Sequence, residues 1–294
     1  MSRRGWSLFV LVGLLWGVPY LFIKVAVDED SGFSPAAVVC FRTAIGALIL
    51  IPWAIHQGSL RTTLRGIKYI LPYAILEMIG PWILIGTAEK ELSSGLAGLL
   101  VASVPFFASF FASLHGDKSV WHRKRLMGMI VGFIGMVLVV GIESIKGEAD
   151  PLSIAMILLA SIGYAYAVMY IQRRMPGASG VAINAVAMVI TSIFYIPFTI
   201  ATWPTHSIGS DAIWAVIGLG VLSTGIAFAV FFTLTTIIDV ARASLVTYLN
   251  TAFAVMLGVA ILGEPLTIGI IVGLPLVLVG SYFASRKEKV VLDA

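Results

Sequence analysis

A chain of 294 residues that is 59% hydrophobic and only 12% charged, with a mean hydropathy of +1.01, is not composed like a soluble globular domain, where about a quarter of residues are charged. The deficit runs from Trp6 to Ala284, which leaves a polytopic membrane protein. Apolar runs approaching about twenty residues point to spanning helices, not to the alternating ten-residue segments of a β-barrel.

In chain order, "MSRRGWSLFVLVGLLWG" opens with the basic-then-apolar pattern of a signal peptide. It lacks a small-residue cleavage site and the run continues to Val27, so it is expected to be an uncleaved first helix. Apolar runs then predict spans at 6–27, 35–55, 69–88, 94–114, 125–142, 152–171, 181–202, 212–234, 241–262 and 268–284, joined by short connections with no soluble domain on either face. The single cysteine, Cys40, falls inside the second span. No intrachain disulfide is possible, and redox compartment is left undefined.

The charges set an orientation. With the N-terminus inside, the cytoplasmic segments take Arg3 and Arg4, then Arg61, Arg65 and Lys68, then Lys118, Arg123, Lys124 and Arg125, then Arg173 and Arg174, Arg242, and finally Arg286, Lys287 and Lys289. The acids gather in the other loops, among them Asp28, Glu29, Asp30, Glu89, Glu91, Asp150 and Glu264. Both termini are therefore predicted to be cytoplasmic. The net charge of +4 is a topology signal, and no nucleic-acid partner is expected.

The two halves resemble each other. "SLHGDKSVWHRKRLMGMIVGFIG" and "AILGEPLTIGIIVGLPLVLVG" share a span that ends in Gly-acid (Gly116-Asp117, Gly263-Glu264) and a following span with Gly-x-x-x-Gly (Gly128/Gly132, Gly269/Gly273). "LLWGVPY" aligns with "ASIGYAY", pairing Gly17 with Gly163 and Tyr20 with Tyr166. Five spans per copy is an odd number, so the second copy must lie inverted. The predicted fold is all-α, ten transmembrane helices in two inverted five-helix repeats (1–147 and 148–294) around a central cavity, the architecture of alternating-access carriers.

Along its whole length the chain resembles the drug/metabolite transporter superfamily, specifically its ten-helix EamA-type exporters. The resemblance is carried by "LLWGVPYLFIKVA", "SPAAVVCFRTAIGALIL", the stretch from Ala97 to Pro105, "HGDKS", and "ARASLVTYLN…LGEPLT", in that order. It implies export of amino acids and related metabolites, with the aromatic amino acid exporters as one candidate type, through a cavity that the fifth and tenth spans do not line. The family's proline in the ninth span is missing here, where the chain has "LNTAF", so Pro105 has no symmetry partner and symmetric hinging of the fourth and ninth spans is not expected.

Glu77 stands in an apolar run, about 12 Å into the third span. A carboxylate at that depth faces a partner or a cavity. Three readings stand: an ion pair with Arg42, which lies about 10 Å into the second span; a polar contact lining a cavity; or a proton-carrying group. The two backbones differ in depth by under about 10 Å, within reach of two long side chains, which favours the pair. Lys24, near the end of the first span, is read as snorkelling to the interface.

Few fixed cations lie in the membrane interior, so phosphorylated substrates are disfavoured and a neutral or zwitterionic small molecule is expected. Trp16, Tyr20, Trp82, Tyr164, Tyr166, Tyr170 and Tyr248 lie inside spans, where a tyrosine hydroxyl needs a wet cavity or another helix. The candidate cavity set is Trp16, Tyr20, Glu77, Trp82, Ser103, Tyr164, Tyr166, Tyr248 and Asn250. Pro105 is the candidate hinge, Arg42 a structural cation, and Gly128, Gly132, Gly269 and Gly273 small-residue packing faces.

The histidines, His56, His115, His122 and His206, lie at span ends or in loops, and no zinc-protease, phosphate-loop or cysteine–histidine motif occurs. No catalysis, metal or cofactor is expected. The sequence reads as an exporter in the cell membrane, apolar and aromatic amino acids favoured, working as a monomer or weak homodimer. A multidrug or purine exporter of the same fold and a non-transporting membrane scaffold are the alternatives. A reporter fused after Ala149 should read external and one after Gln172 cytoplasmic; both on one side would exclude ten spans.

Overall fold

The computed structural model describes residues 2–116, 123–145, 150–238, 243 and 246–285. The charges expected at Asp117, Lys118, Lys146, Glu148, Arg242, Arg286, Lys287 and Lys289, and the start of the ninth span, lie outside them. The described residues are helical, with no strand among them. The principal helices are α1 (Arg3–Ala26), α2 (Pro35–His56), α3 (Ile67–Ala88), α4 (Ser94–Leu114), α5 (Arg123–Ile145), α6 (Pro151–Arg174), α7 (Gly180–Ala201), α8 (Ser210–Thr235), α9 (Val246–Leu262) and α10 (Ile268–Ser285). Seven are long and apolar enough to cross a membrane; α5, α9 and α10 contribute the shorter apolar stretches Leu126–Leu138, Val246–Leu262 and Ile268–Gly280.

Local chemistry explains where the helices begin and end. Ser2, Ser34, Ser93, Asp150 and Ser179 each accept a hydrogen bond from the backbone N–H three residues on, the N-cap arrangement whose loss costs about 1 kcal/mol. Hydrogen bonds from the Ser153 N–H and hydroxyl also hold the Asp150 carboxyl below its ordinary range. After α2 and α9, Gly58 and Gly263 reverse the chain with a φ of +66°, which residues with a Cβ adopt only under strain.

Three helices are interrupted. Pro81 has no N–H to continue the regular ladder of α3, and Ile75–Ile79 forms a π turn closed by the Gly80 N–H on the Ile75 carbonyl. In α4 the break falls at Ala102–Ser103, just before Pro105, where proline removes a donor and crowds the preceding turn. In α8 a glycine-rich stretch, Leu219–Ile226, is π-helical. By contrast α9 runs unbroken from Val246 to Leu262, in keeping with the proline missing from "LNTAF".

The helices pack as α2 on α7, α4 on α9, α5 on α10, α1 on α9, α6 on α4, α3 on α6, α8 on α1, α2 on α8 and α7 on α3. Exchanging α1–α5 with α6–α10 in order returns each of these principal pairs, whereas the lesser contacts of α4 with α1 and with α10 have no counterpart of similar extent among the described residues. The short sequence match does not follow this exchange. Gly17 lets α1 approach Asn250 and Phe253 of α9, whereas Gly163 lets α6 approach Leu76 and Pro81 of α3. Tyr20 lies against Gly98 and Tyr166 against Phe111, so both tyrosines face α4. Gly17/Gly163 and Tyr20/Tyr166 are thus not in equivalent contacts: four-residue similarity in glycine-rich apolar sequence does not fix rotational register.

The α5–α10 contact is built on small residues. Gly280, outside the glycines singled out in the sequence, is pressed against the backbone of Gly128 and Gly132, and a Cβ at Gly135 would stand 2.7 Å from Leu276 Cβ. Gly269 and Gly273 are also buried. The outer surface is apolar, with Leu48 and Ile200 exposed to 73% and 72%, a liability in water and ordinary against lipid. Gly280→Leu should force α5 and α10 apart and lower stability by about 1–3 kcal/mol, read as a melting shift in detergent. A wild-type melting point would contradict this packing.

Candidate functional site

The buried polar groups converge where α1, α2, α3, α6 and α8 meet. Arg42 on α2 is 6% exposed. Its guanidinium carbon lies 3.8 Å from the centre of the Trp82 ring on α3, and its Nε and Nη2 donate to Thr224 Oγ1 on α8 at 3.4 and 3.3 Å. Tyr164 on α6 interacts with the Trp82 indole and stands within electrostatic range of Glu77, Tyr20 and Arg42. Tyr20 and Trp82 are buried. The cluster therefore takes groups from both halves of the chain.

The expected Arg42–Glu77 ion pair is not formed. Among the described residues the ion pair is Lys90–Glu29, at 3.0 Å. Arg42 is held by Trp82 and Thr224, and Glu77 Oε2 is buried without a hydrogen-bond partner. Depth along a helix fixes height but not azimuth. Glu77 sits within the π turn of α3, a feature frequent at functional sites. Around that turn Tyr195 donates to the Ile79 carbonyl at 2.7 Å and Tyr73 to Asn184 Oδ1 at 3.1 Å.

At one end of the bundle, side chains close the helix termini. Lys24 Nζ donates to the carbonyls of Glu89, Lys90 and Leu92 at 2.7, 3.1 and 3.1 Å. Its ammonium thus lies at the bundle end that snorkelling predicts, held there by carbonyls left open after α3. Across the same end, Glu264 accepts from Ser94 N, Ser94 Oγ and Gly95 N at 2.7, 2.8 and 3.2 Å. A carboxylate from the α9–α10 turn therefore caps the N-terminus of α4. The α7–α8 loop joins the α1–α2 turn through Gly209 N to Ser31 O and His206 with Gly32 O.

Glu89, one residue beyond α3, is fully buried with neither carboxylate oxygen hydrogen-bonded. Burial pushes its carboxyl well above the usual range; Lys24 and Arg42 pull it down, and Glu264 adds to the rise.

The remaining expected site residues are spread out. Trp16 packs on Phe228 and Phe231 of α8 with ring centres 5.6 and 4.7 Å away. Tyr166 meets Phe111 at 5.2 Å and Tyr170 at 6.4 Å. Tyr248 is half-buried on α9. Asn250 is buried, and its Oδ1 lies 3.3 Å from the Thr251 hydroxyl, whose shortest acceptor is the Thr247 carbonyl of its own helix at 3.0 Å. Ser103, 1% exposed at the α4 break, has no partner for its hydroxyl.

Sequence reasoning did not single out Thr224, Tyr195 or Glu89 as site residues. The first two are ordinary residues in apolar helices and carry no sequence signal. Glu89 reads as a loop acid because its neighbours Lys90 and Glu91 are charged.

The model of the EamA-like transporter family matches residues 3–141 and 151–286. An "Uncharacterized transporter" of Archaeoglobus fulgidus is 24% identical over 287 residues, 97% of this chain and all of its own length. The "Uncharacterized inner membrane transporter YedA" of Escherichia coli is 25% identical, covering 97% of this chain and 93% of its own. A protein known from its crystal structure aligns over 97% of both chains with a TM-score of 0.68 and 17% identity, which shows a shared fold. Buried helices, lipid-facing surface and full-length matches agree: the chain belongs to the EamA-like transporter family and is a multi-pass membrane transporter.

Proposed function

We propose that this transporter exports amino acids, apolar and aromatic ones favoured, across the cytoplasmic membrane by alternating access. In this reading the ten helices form two inverted halves, 1–147 and 148–294, with both termini cytoplasmic. The return of the principal packing pairs on exchanging the halves supports it, as does the paired family match over 3–141 and 151–286. The end closed by Lys24 and Glu264 is then the external one.

One observation carries the reading. Arg42 is buried beside Trp82 with no carboxylate bonded to it, and Glu77 Oε2 is buried with no partner at all. Unpaired charge within a membrane costs several kcal/mol, a cost without return in a passive scaffold. A carrier recovers it when solute or proton arrives. The surrounding Trp82, Tyr20 and Tyr164 offer apolar faces with polar tips, suited to a solute that is part apolar and part polar. Glu77 in this reading carries the exchanged proton.

Purified protein in proteoliposomes, offered amino acids, purines and cationic drugs with and without a pH gradient, tests the proposal. Phenylalanine should move faster than glutamate. Glu77→Gln leaves no cation unpaired, so it should melt near wild type while transport loses its response to the gradient. Movement of no small solute, or glutamate at least as fast as phenylalanine, would refute the proposed substrate class. Full gradient dependence in Glu77→Gln would refute the proton role.

A further inference from the structure

We infer that Arg42 is the receiving group for the carboxylate of the transported amino acid, with the edge of its guanidinium left open for that purpose. The inference rests on the amino-acid reading above and assigns Arg42 a role in place of the structural one its sequence position suggests.

A guanidinium stays charged in any protein environment and offers five N–H donors in a planar fork. At 6% exposure, water has little access to them. The protein supplies a single neutral oxygen, Thr224 Oγ1, to two of the nitrogens, and at 3.4 and 3.3 Å both bonds are long. Charge-assisted bonds to a carboxylate run about 2.7–2.9 Å. Nη1 has no hydrogen-bond partner among the described residues, and no carboxylate lies within ion-pair distance of the group.

The face of the group is occupied in a different way from its edge. Trp82 covers the plane at 3.8 Å, a contact that fixes the orientation of the fork while leaving its in-plane donors unspent. A cation whose role was packing would have its edge filled and its face free to shift. Here the plane is held and the fork is not filled, which is the preorganisation that bidentate carboxylate recognition uses.

The groups around Arg42 leave its edge open to an anion. Glu89, from the α3–α4 turn, and Tyr20 and Tyr164 lie within electrostatic range. Glu77 reaches Tyr164, and Lys24 is spent on three backbone carbonyls. Glu89 offsets the charge from a distance but bonds to nothing, so it does not occupy the fork. Thr224 belongs to the π segment of α8 and Trp82 follows the π turn of α3. A ligand on Arg42 would thus touch both halves of the chain, as a solute that drives alternation must.

The test uses three solutes with the same ring: phenylalanine, phenylalanine amide and phenethylamine. In proteoliposomes, wild-type protein should prefer phenylalanine to either carboxylate-free analogue, and Arg42→Gln should reduce that preference by roughly tenfold or more. Arg42→Lys should not restore it, since an ammonium lacks the fork. Should Arg42→Gln fail to fold, tryptophan fluorescence of the wild-type protein provides a second reading. Phenylalanine and 3-phenylpropionate should change it, phenethylamine should not, and Trp82→Phe should remove the change.

Phenylalanine carried with its preference intact in Arg42→Gln would overturn the inference and leave the exporter standing. Equal fluorescence responses to phenylalanine and phenethylamine would do the same. Wild-type transport of phenethylamine but not of phenylalanine would overturn the amino-acid reading itself, and this inference with it.

Discussion

A backbone polar group in a bilayer has no water to turn to, and this requirement decides most of what the polar side chains of the protein do. Regular helices meet it internally. Each place where a helix here departs from regularity is therefore a place where another element must supply a donor or an acceptor. The π turn in α3 is met by the Tyr195 hydroxyl on the Ile79 carbonyl. Lys24 collects the carbonyls beyond α3, and Glu264 collects the amides that begin α4. The irregular backbone is confined to where the halves meet, and the lipid-facing surface stays apolar.

The same requirement links packing to the site. Close approach through Gly17, Gly98 and Gly280 brings helices together without side chains between them, and gives up the apolar area that larger residues would bury. In exchange, side chains from distant parts of the sequence can reach a broken helix. Arg42, Trp82 and Thr224 come from three helices and lie within contact distance. Their arrangement depends on the two π segments, because Thr224 lies within one and Trp82 just after the other.

Much of the architecture was legible in the sequence because it rests on quantities a sequence carries: the length of apolar runs and the proline that breaks α4. A helix was found at each expected span, although only seven reach full spanning length and apolarity among the described residues. What could not be read was rotation. The depths of Arg42 and Glu77 leave them within reach of each other, yet their side chains do not meet, and the glycines aligned as Gly17 and Gly163 face unlike partners. For Lys24 the direction toward the span end was legible, but not that the carbonyls beyond α3 lie within reach to receive it. The π turns were missed altogether, since a single proline or a glycine-rich stretch is equally consistent with a kink.

If solute passes between the halves, the contact of Glu264 with Ser94 and Gly95 must open and re-form during transport. Spin labels at Glu91 and Leu266, exposed positions flanking that contact, in a Cys40→Ala background, would report the separation directly. One short distance is expected without solute, and a second, longer population when phenylalanine is present under transport conditions. A single unchanged distance while phenylalanine is being carried would contradict a carrier that opens at this end.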